Sequence, residues 1–140
     1  MNIAEFLKVF EDVALFEDKI ILKHNLADTA AYLKENYGYD MLKEITAVEN
    51  NDMSTELNYH LFSSRDEEDL ILSINVNHEA ESVTHIYDSA SADENEIYDL
   101  FGINFIGNDD LKRLYMSEGW VGHPLRKEYE NDDERLEWND

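Results

Sequence analysis

The chain is 140 residues long, which suffices for one domain with a buried core, and its formal net charge is −22. Because phosphate contacts require lysine and arginine, this charge argues against nucleic-acid binding, and it equally disfavours an anionic membrane surface. The chain has no cysteine, which excludes disulfides, thiolate catalysis and cysteine-held iron–sulfur clusters. Hydrophobic residues make up 43% of the sequence, which indicates a folded protein rather than a disordered one.

The first part of the chain predicts a helix, a strand and a second helix. Residues 2–16 carry apolar side chains at helical spacing, and residues 18–25 resemble a short strand. The second helix is expected to begin at Asn25, a good N-cap residue, and to end at Gly38. Its apolar stripe consists of Leu26, Ala30, Leu33 and Tyr37.

The middle of the chain changes to the alternation that is typical of strands. Residues 41–50 alternate imperfectly, whereas residues 56–65 and 70–78 alternate cleanly and are joined by an acidic loop, so they predict an antiparallel hairpin. A short helix follows around residues 92–102. We therefore expect residues 1–102 to form an α+β domain with a mainly antiparallel sheet and about two packed helices.

From residue 103 onward no regular period is sustained. Residues 108–129 hold four acids and four bases, so this stretch has no net charge, whereas the rest of the chain is strongly acidic. Because interfaces favour Trp, Tyr, Met and Arg, residues 103–130 are predicted to be an extended, irregular arm that binds a partner. The alternative is a segment packed on its own domain. Residues 131–140 are expected to be an acidic, mobile tail.

No motif in the sequence predicts a catalytic, cofactor-binding or metal-binding residue in this chain. The five histidines show neither H-x-x-x-H nor H-E-x-x-H spacing, so they are expected to lie on the surface. Acids are too frequent to be diagnostic; the closest cluster is Glu94, Glu96 and Asp99, and a glycosidase would need two carboxylates in a cleft. The glycine spacing of residues 102–107 is that of a phosphate loop, but the acid that follows would repel phosphate.

One stretch of the chain carries a family resemblance. Its motifs are ENEIYDLFGI at residues 94–103, then DLKR at 110–113, GW at 119–120 and GHPLRK at 122–127. In order and spacing they resemble the 30-kilodalton, or C-type, subunit of respiratory complex I and of related membrane-bound energy-converting nickel–iron hydrogenases. Two departures, Asn95 in place of Arg and Asn108-Asp109 in place of His-Pro, favour the hydrogenase type, as does the short chain.

The resemblance implies a structural subunit that has no cofactor of its own and clasps the large, hydrogenase-like subunit beside an iron–sulfur subunit. Iron–sulfur clusters, with nickel–iron or flavin, would belong to those partners. The complex would be an NADH:quinone oxidoreductase or an energy-converting hydrogenase, peripheral on the cytoplasmic face of the membrane, that couples electron transfer to ion translocation. The implied partner interface consists of Glu94, Glu96, Asp99, Lys112, Arg113, Trp120, His123, Pro124, Arg126, Lys127 and Tyr129.

Several alternatives stay open at this point. Glu94, Glu96 and Asp99 could instead cap and solvate the start of a helix, where the dipole favours acids. Tyr98, Leu100 and Phe101 are expected in the core rather than at an interface. For the whole chain, the acidic excess also suits an assembly or regulatory factor that binds a basic surface, and a small metal-assisted hydrolase is a third class.

Overall fold

The computed structural model describes residues 3–10, 12–16 and 18–109. Its helices are α1 (Ile3–Val9), α2 (Leu26–Tyr37) and α3 (Ala90–Phe101). Its strands are β1 (Ala14–Phe16), β2 (Lys19–Leu22), β3 (Met41–Glu49), β4 (Thr55–Ser63), β5 (Glu68–Val76), β6 (Glu79–Glu81) and β7 (Asn104–Ile106). The predicted α+β class is confirmed. Within the described ranges, no helix is long and apolar enough to cross a membrane.

Five strands form one sheet in the order β1-β2-β5-β4-β3. β3, β4 and β5 are consecutive antiparallel neighbours, and β1 pairs antiparallel with β2. The one parallel pair of this sheet joins β2 to β5, with Lys19 opposite Ile71. The predicted hairpin and the mainly antiparallel sheet are thus confirmed. β6 and β7 form a separate two-stranded parallel sheet.

Alternation along the strands builds the core on one face of the sheet. The apolar stripe of α2 belongs to the same buried cluster as the strand residues, and all four residues predicted for that stripe are buried. Along β4, each buried apolar residue alternates with a half-buried neighbour, so a single face of the strand is apolar. The buried apolar residues of the two central antiparallel strands are Leu57, Tyr59 and Leu61 of β4 and Leu70, Leu72 and Ile74 of β5.

The ends of α2 lie where the sequence predicts them, but the N-terminal cap works differently. Asn25 has a left-handed backbone (φ 61) and its side chain makes no capping bond. Oε1 of Glu81 instead accepts a hydrogen bond of 3.1 Å from the N–H of Ala27, which places a carboxylate at the positive end of the helix. At the other end Gly38 has φ 73, and a Cβ there would lie 3.2 Å from Cβ of Arg65.

The prediction of a single helix over residues 2–16 was wrong beyond Val9. α1 ends there, Asp12 adopts a left-handed backbone (φ 59), and the chain continues as β1. Phe6 and Phe10 do share a face, with ring centroids 5.2 Å apart, and both rings pack on Tyr32 of α2. The helical spacing is therefore real over two turns, and the apolar residues after it belong to another element.

The first residues of the predicted arm are part of the folded body. Ile103 and Phe105 are buried, and residues 104–106 form β7. The rest of residues 103–130 and the predicted tail of residues 131–140 lie outside the described residues. The division into a domain, an arm and a tail stays a prediction.

Candidate functional site

A buried carboxylate connects α3 to two other segments. Oε1 of Glu94 accepts hydrogen bonds from Oγ of Ser82 (2.8 Å) and Nδ2 of Asn108 (2.9 Å). Oε2 accepts one from the N–H of Val83 (2.8 Å). Glu94 is fully buried. We call these four residues the Glu94 clamp, because they join α3 to the segment after β6 and to the turn after β7.

Local geometry brings the third donor to this carboxylate. Gly107 has φ 100, a backbone conformation that side chains rarely adopt, and it turns the chain directly after β7. The N–H of Asn108 donates to the carbonyl oxygen of Phe105 (3.2 Å), which closes the turn. The Asn108 side chain thereby reaches Glu94.

Burial is the main influence on the ionisation of Glu94. It raises the pKa of the Glu94 carboxyl above its usual 4.5, while the three donors and the nearby His85 oppose that rise. All three donors belong to this chain. The arrangement therefore fixes three segments to one another and offers no free acid or base to a substrate.

The acids of α3 do not converge on one point. Glu94 and Asp99 are both fully buried, whereas Glu96 is exposed. Asp93, one residue before Glu94, turns to the sheet instead, where its Oδ2 accepts a hydrogen bond of 3.0 Å from the N–H of Ile45. The predicted cluster of Glu94, Glu96 and Asp99 is therefore divided between the interior and the surface.

Two bonds attach the start of α3 to the outer edge of β3. Besides the bond from Ile45 to Asp93, Oγ of Ser89 donates to the carbonyl oxygen of Leu42 (3.0 Å). The strand register shifts between Leu42 and Glu44, which allows both bonds to be made on the same side of the strand. α3 thus satisfies two backbone groups of an edge strand, the N–H of Ile45 and the carbonyl of Leu42.

An open groove of about 320 Å³ remains between β3 and the exposed side of α3. We call it the β3–α3 groove; it is lined by Glu44, Ile45, Thr46, Ala47, Asp93, Glu96, Ile97, Leu100 and Phe101. Ile97 is buried, and Leu100, Phe101 and the neighbouring Tyr98 are half-buried. Phe101 packs against the core and also lines the groove, as Leu100 does.

The histidines of the described region are dispersed. Nε2 of His60 lies 3.0 Å from Oδ1 of Asp69, and His24 lies 3.6 Å from Asp12. In residues 3–10, 12–16 and 18–109 no group of three or more His, Asp or Glu side chains could hold a metal ion.

Most of the predicted interface cannot be placed. Its members beyond α3 lie outside the described residues; they are Lys112, Arg113, Trp120, His123, Pro124, Arg126, Lys127 and Tyr129. Conversely, the sequence did not point to Ser82, Val83 or Asp93 as site residues. Asn108 stands out in the sequence only as a departure from the family pattern, although an amide after a glycine turn is a suitable donor for a buried carboxylate.

Known proteins resemble this chain over most of its length. A sequence model of the family described as "Respiratory-chain NADH dehydrogenase, 30 Kd subunit" matches residues 20–135. The C-type subunit of the NADH-quinone oxidoreductase of Moorella thermoacetica is 32% identical over 136 residues, which are 91% of this chain and 92% of that one. The corresponding protein of Geobacter sulfurreducens is 32% identical, and the match covers 84% of this chain and 78% of that protein.

Two further likenesses differ in scope. The C/D-type subunit of the NADH-quinone oxidoreductase of Phocaeicola vulgatus is 33% identical over 70% of this chain, but the match spans only 20% of that longer protein. Among solved structures, a chain of an archaeal membrane-bound sulfane sulfur reductase superposes with a TM-score of 0.68 at 20% identity. The superposition covers 81% of this chain and 74% of that one, so the two share a fold.

Proposed function

Because the chain belongs to the family of the 30 Kd subunit of respiratory-chain NADH dehydrogenase, we propose that it is a cofactor-free structural subunit of a membrane-associated, complex I-like oxidoreductase. In this role it clasps the large catalytic-type subunit next to an iron–sulfur subunit on the cytoplasmic side. It thereby supports electron transfer coupled to ion translocation, and the redox centres belong to the partners.

The Glu94 clamp is the observation that carries this proposal. Glu94 is a fully buried acid within the stretch that resembles the family, and it accepts hydrogen bonds from three donors of the same chain. The carboxylate thus fixes the turn at Asn108, which lies near the start of the predicted arm of residues 103–130. A scaffold that presents an extended segment needs such a fixed base, because ordering a flexible one on binding would cost affinity.

The choice of partner rests on the relatives. By its name, the protein from Phocaeicola vulgatus contains a C part and a D part, and this chain matches one fifth of it. A C-like part joined to a D part supports a close association between this chain and a large D-type subunit. The interface is proposed to include Glu96 and the predicted arm residues, with Trp120 and Tyr129 as buried anchors and Arg126 as a carboxylate-binding group.

The same comparisons bear on the type of complex. The relatives from Moorella thermoacetica and Geobacter sulfurreducens are both NADH-quinone oxidoreductase subunits, which supports that type over an energy-converting hydrogenase. Short length does not argue for a hydrogenase, because this chain matches 92% of the Moorella thermoacetica protein. The hydrogenase type stays the alternative.

The experiment is a pull-down of the tagged chain from its own host in mild detergent, followed by mass spectrometry and metal analysis. We expect stoichiometric recovery of a large subunit and an iron–sulfur subunit; flavin with iron would indicate the NADH:quinone type, and nickel the hydrogenase type. Trp120→Ala and Arg126→Glu should each lower recovery about tenfold without unfolding the chain.

Matched controls come from the predicted tail. Trp138→Ala and Arg135→Glu remove the same side chains outside the predicted interface and should leave recovery unchanged. Equal recovery with all four variants would contradict the interface assignment.

The net charge of −22 favours a second candidate, an acidic assembly or regulatory factor, and that role requires release of the chain from the mature complex.

A further inference from the structure

The outer edge of β3 presents backbone groups that α3 does not use. The N–H of Ile45 donates to Asp93 rather than to β4, and the N–H of Asn50 donates to Ser54 across the ladder. Backbone groups of alternate residues point to the same side of an edge strand. The carbonyl oxygen of Ile45 and both backbone groups of Ala47 therefore face outward, and no described residue bonds to them.

Ile45 and Ala47 also belong to the lining of the β3–α3 groove, which combines apolar side chains with an acidic rim. Leu100 and Phe101 contribute apolar surface, while Glu44 and Glu96 are exposed beside it. No lysine or arginine is among the described residues of the lining. Burial is the largest influence on the Asp93 carboxyl and raises its pKa; the hydrogen bond from Ile45 opposes this rise, and repulsion from Glu96 and Glu44 adds to it.

We propose that the β3–α3 groove binds an extended, lysine- or arginine-bearing segment of a partner subunit, which adds as a strand to β3 at Ala47. The backbone of that segment would pair with Ile45 and Ala47, and alternate side chains would meet Leu100 and the acidic rim. The occupant is basic because Glu44, Asp93 and Glu96 would repel an acidic one. This proposal rests on the proposed function, since it presumes a partner subunit.

Site-directed crosslinking tests the proposal in the assembled complex. Because the chain has no cysteine, Glu96→Cys provides the single attachment point on this chain for a benzophenone maleimide. Illumination of the labelled complex, followed by mass spectrometry, should yield an adduct within one partner segment that contains Lys or Arg. Glu35→Cys on the exposed face of α2 is the matched control and should give no adduct with that segment.

Two further pairs of variants, each a test and its control combined with Glu96→Cys, separate strand addition from simple proximity. Ala47→Pro removes the outward N–H, which an edge strand tolerates, and should lower the adduct yield about tenfold, whereas Ala47→Ser keeps the N–H and the yield. Glu44→Lys reverses one rim charge without altering the strand backbone, and it should also lower the yield. Glu35→Lys changes the total charge equally and should leave the yield unchanged.

Different failures have different meanings. If no partner is recovered with the tagged chain, the proposed function fails and this proposal fails with it. If the partners are recovered stoichiometrically but position 96 gives no adduct, only the groove proposal is overturned. An adduct with residues 110–140 of the same chain or with a second copy, or equal yields for Ala47→Pro and Ala47→Ser, would also overturn it.

Discussion

Replacing Glu94 with alanine is expected to lower the free energy of unfolding by about 2–4 kcal/mol, measured by urea denaturation of the purified chain. The physical reason is that Ser82, Val83 and Asn108 all donate to this one carboxylate. Without it, the N–H of Val83 remains buried with no acceptor, and a cavity forms between three segments. The cost of such a donor exceeds the net gain of the bond itself.

Glu96→Ala is the matched control, because it removes the same side chain from the exposed side of the same helix. We expect a change within about 0.5 kcal/mol. If the two variants had equal stabilities, the Glu94 clamp would not contribute to the stability of the fold.

Glu94→Gln separates charge from hydrogen bonding. Because burial raises the pKa of Glu94 in the folded state, the stability contributed by this group is full below its ordinary pKa of 4.5 and decreases as the pH rises through the folded-state pKa. Glutamine does not titrate. The destabilisation caused by Glu94→Gln should therefore be largest in acid and smaller near neutral pH.

Leu72→Ala should cost about 2–5 kcal/mol in the same assay. Leu72 is completely buried in the central strand β5, with Ile20 of β2 on one side and Tyr59 of β4 on the other. Truncation would leave a cavity that these neighbours, held by strand pairing on both sides, cannot close.

The adjacent residue provides the control for this site. Ile71 points to the opposite face of the sheet and is half-buried, so Ile71→Ala should cost about 1 kcal/mol. A loss as large as that of Leu72→Ala would show that the opposite face is packed as tightly as the core, and it would contradict a one-sided core.

Local signals in the sequence predicted much of the fold. Clean alternation over residues 56–65 and 70–78 identified β4, β5 and their hairpin, because each strand has one buried apolar face. Both longer helices end at a glycine with a left-handed backbone, at Gly38 and Gly102. These features depend on neighbours in the chain, which is why a sequence reveals them.

Other features depend on contacts that the sequence does not encode locally. β1 consists of three consecutive apolar residues, Ala14, Leu15 and Phe16, so it shows no alternation that would distinguish it from the end of a helix. β6 and β7 are three residues each, too short for a period of two to be visible. The Glu94 clamp requires donors on two separate segments, so the sequence identified the acid but not its inward orientation.

The parallel pairing of β2 with β5 has a consequence for the order of folding. β3, β4 and β5 can associate through short turns, whereas β2 reaches β5 only after α2, β3 and β4 have been enclosed in a loop. Closing a longer loop costs more conformational entropy. We therefore expect φ-values from folding kinetics to be high in the β4–β5 hairpin and low at Ile20, so that the N-terminal part of the chain docks late.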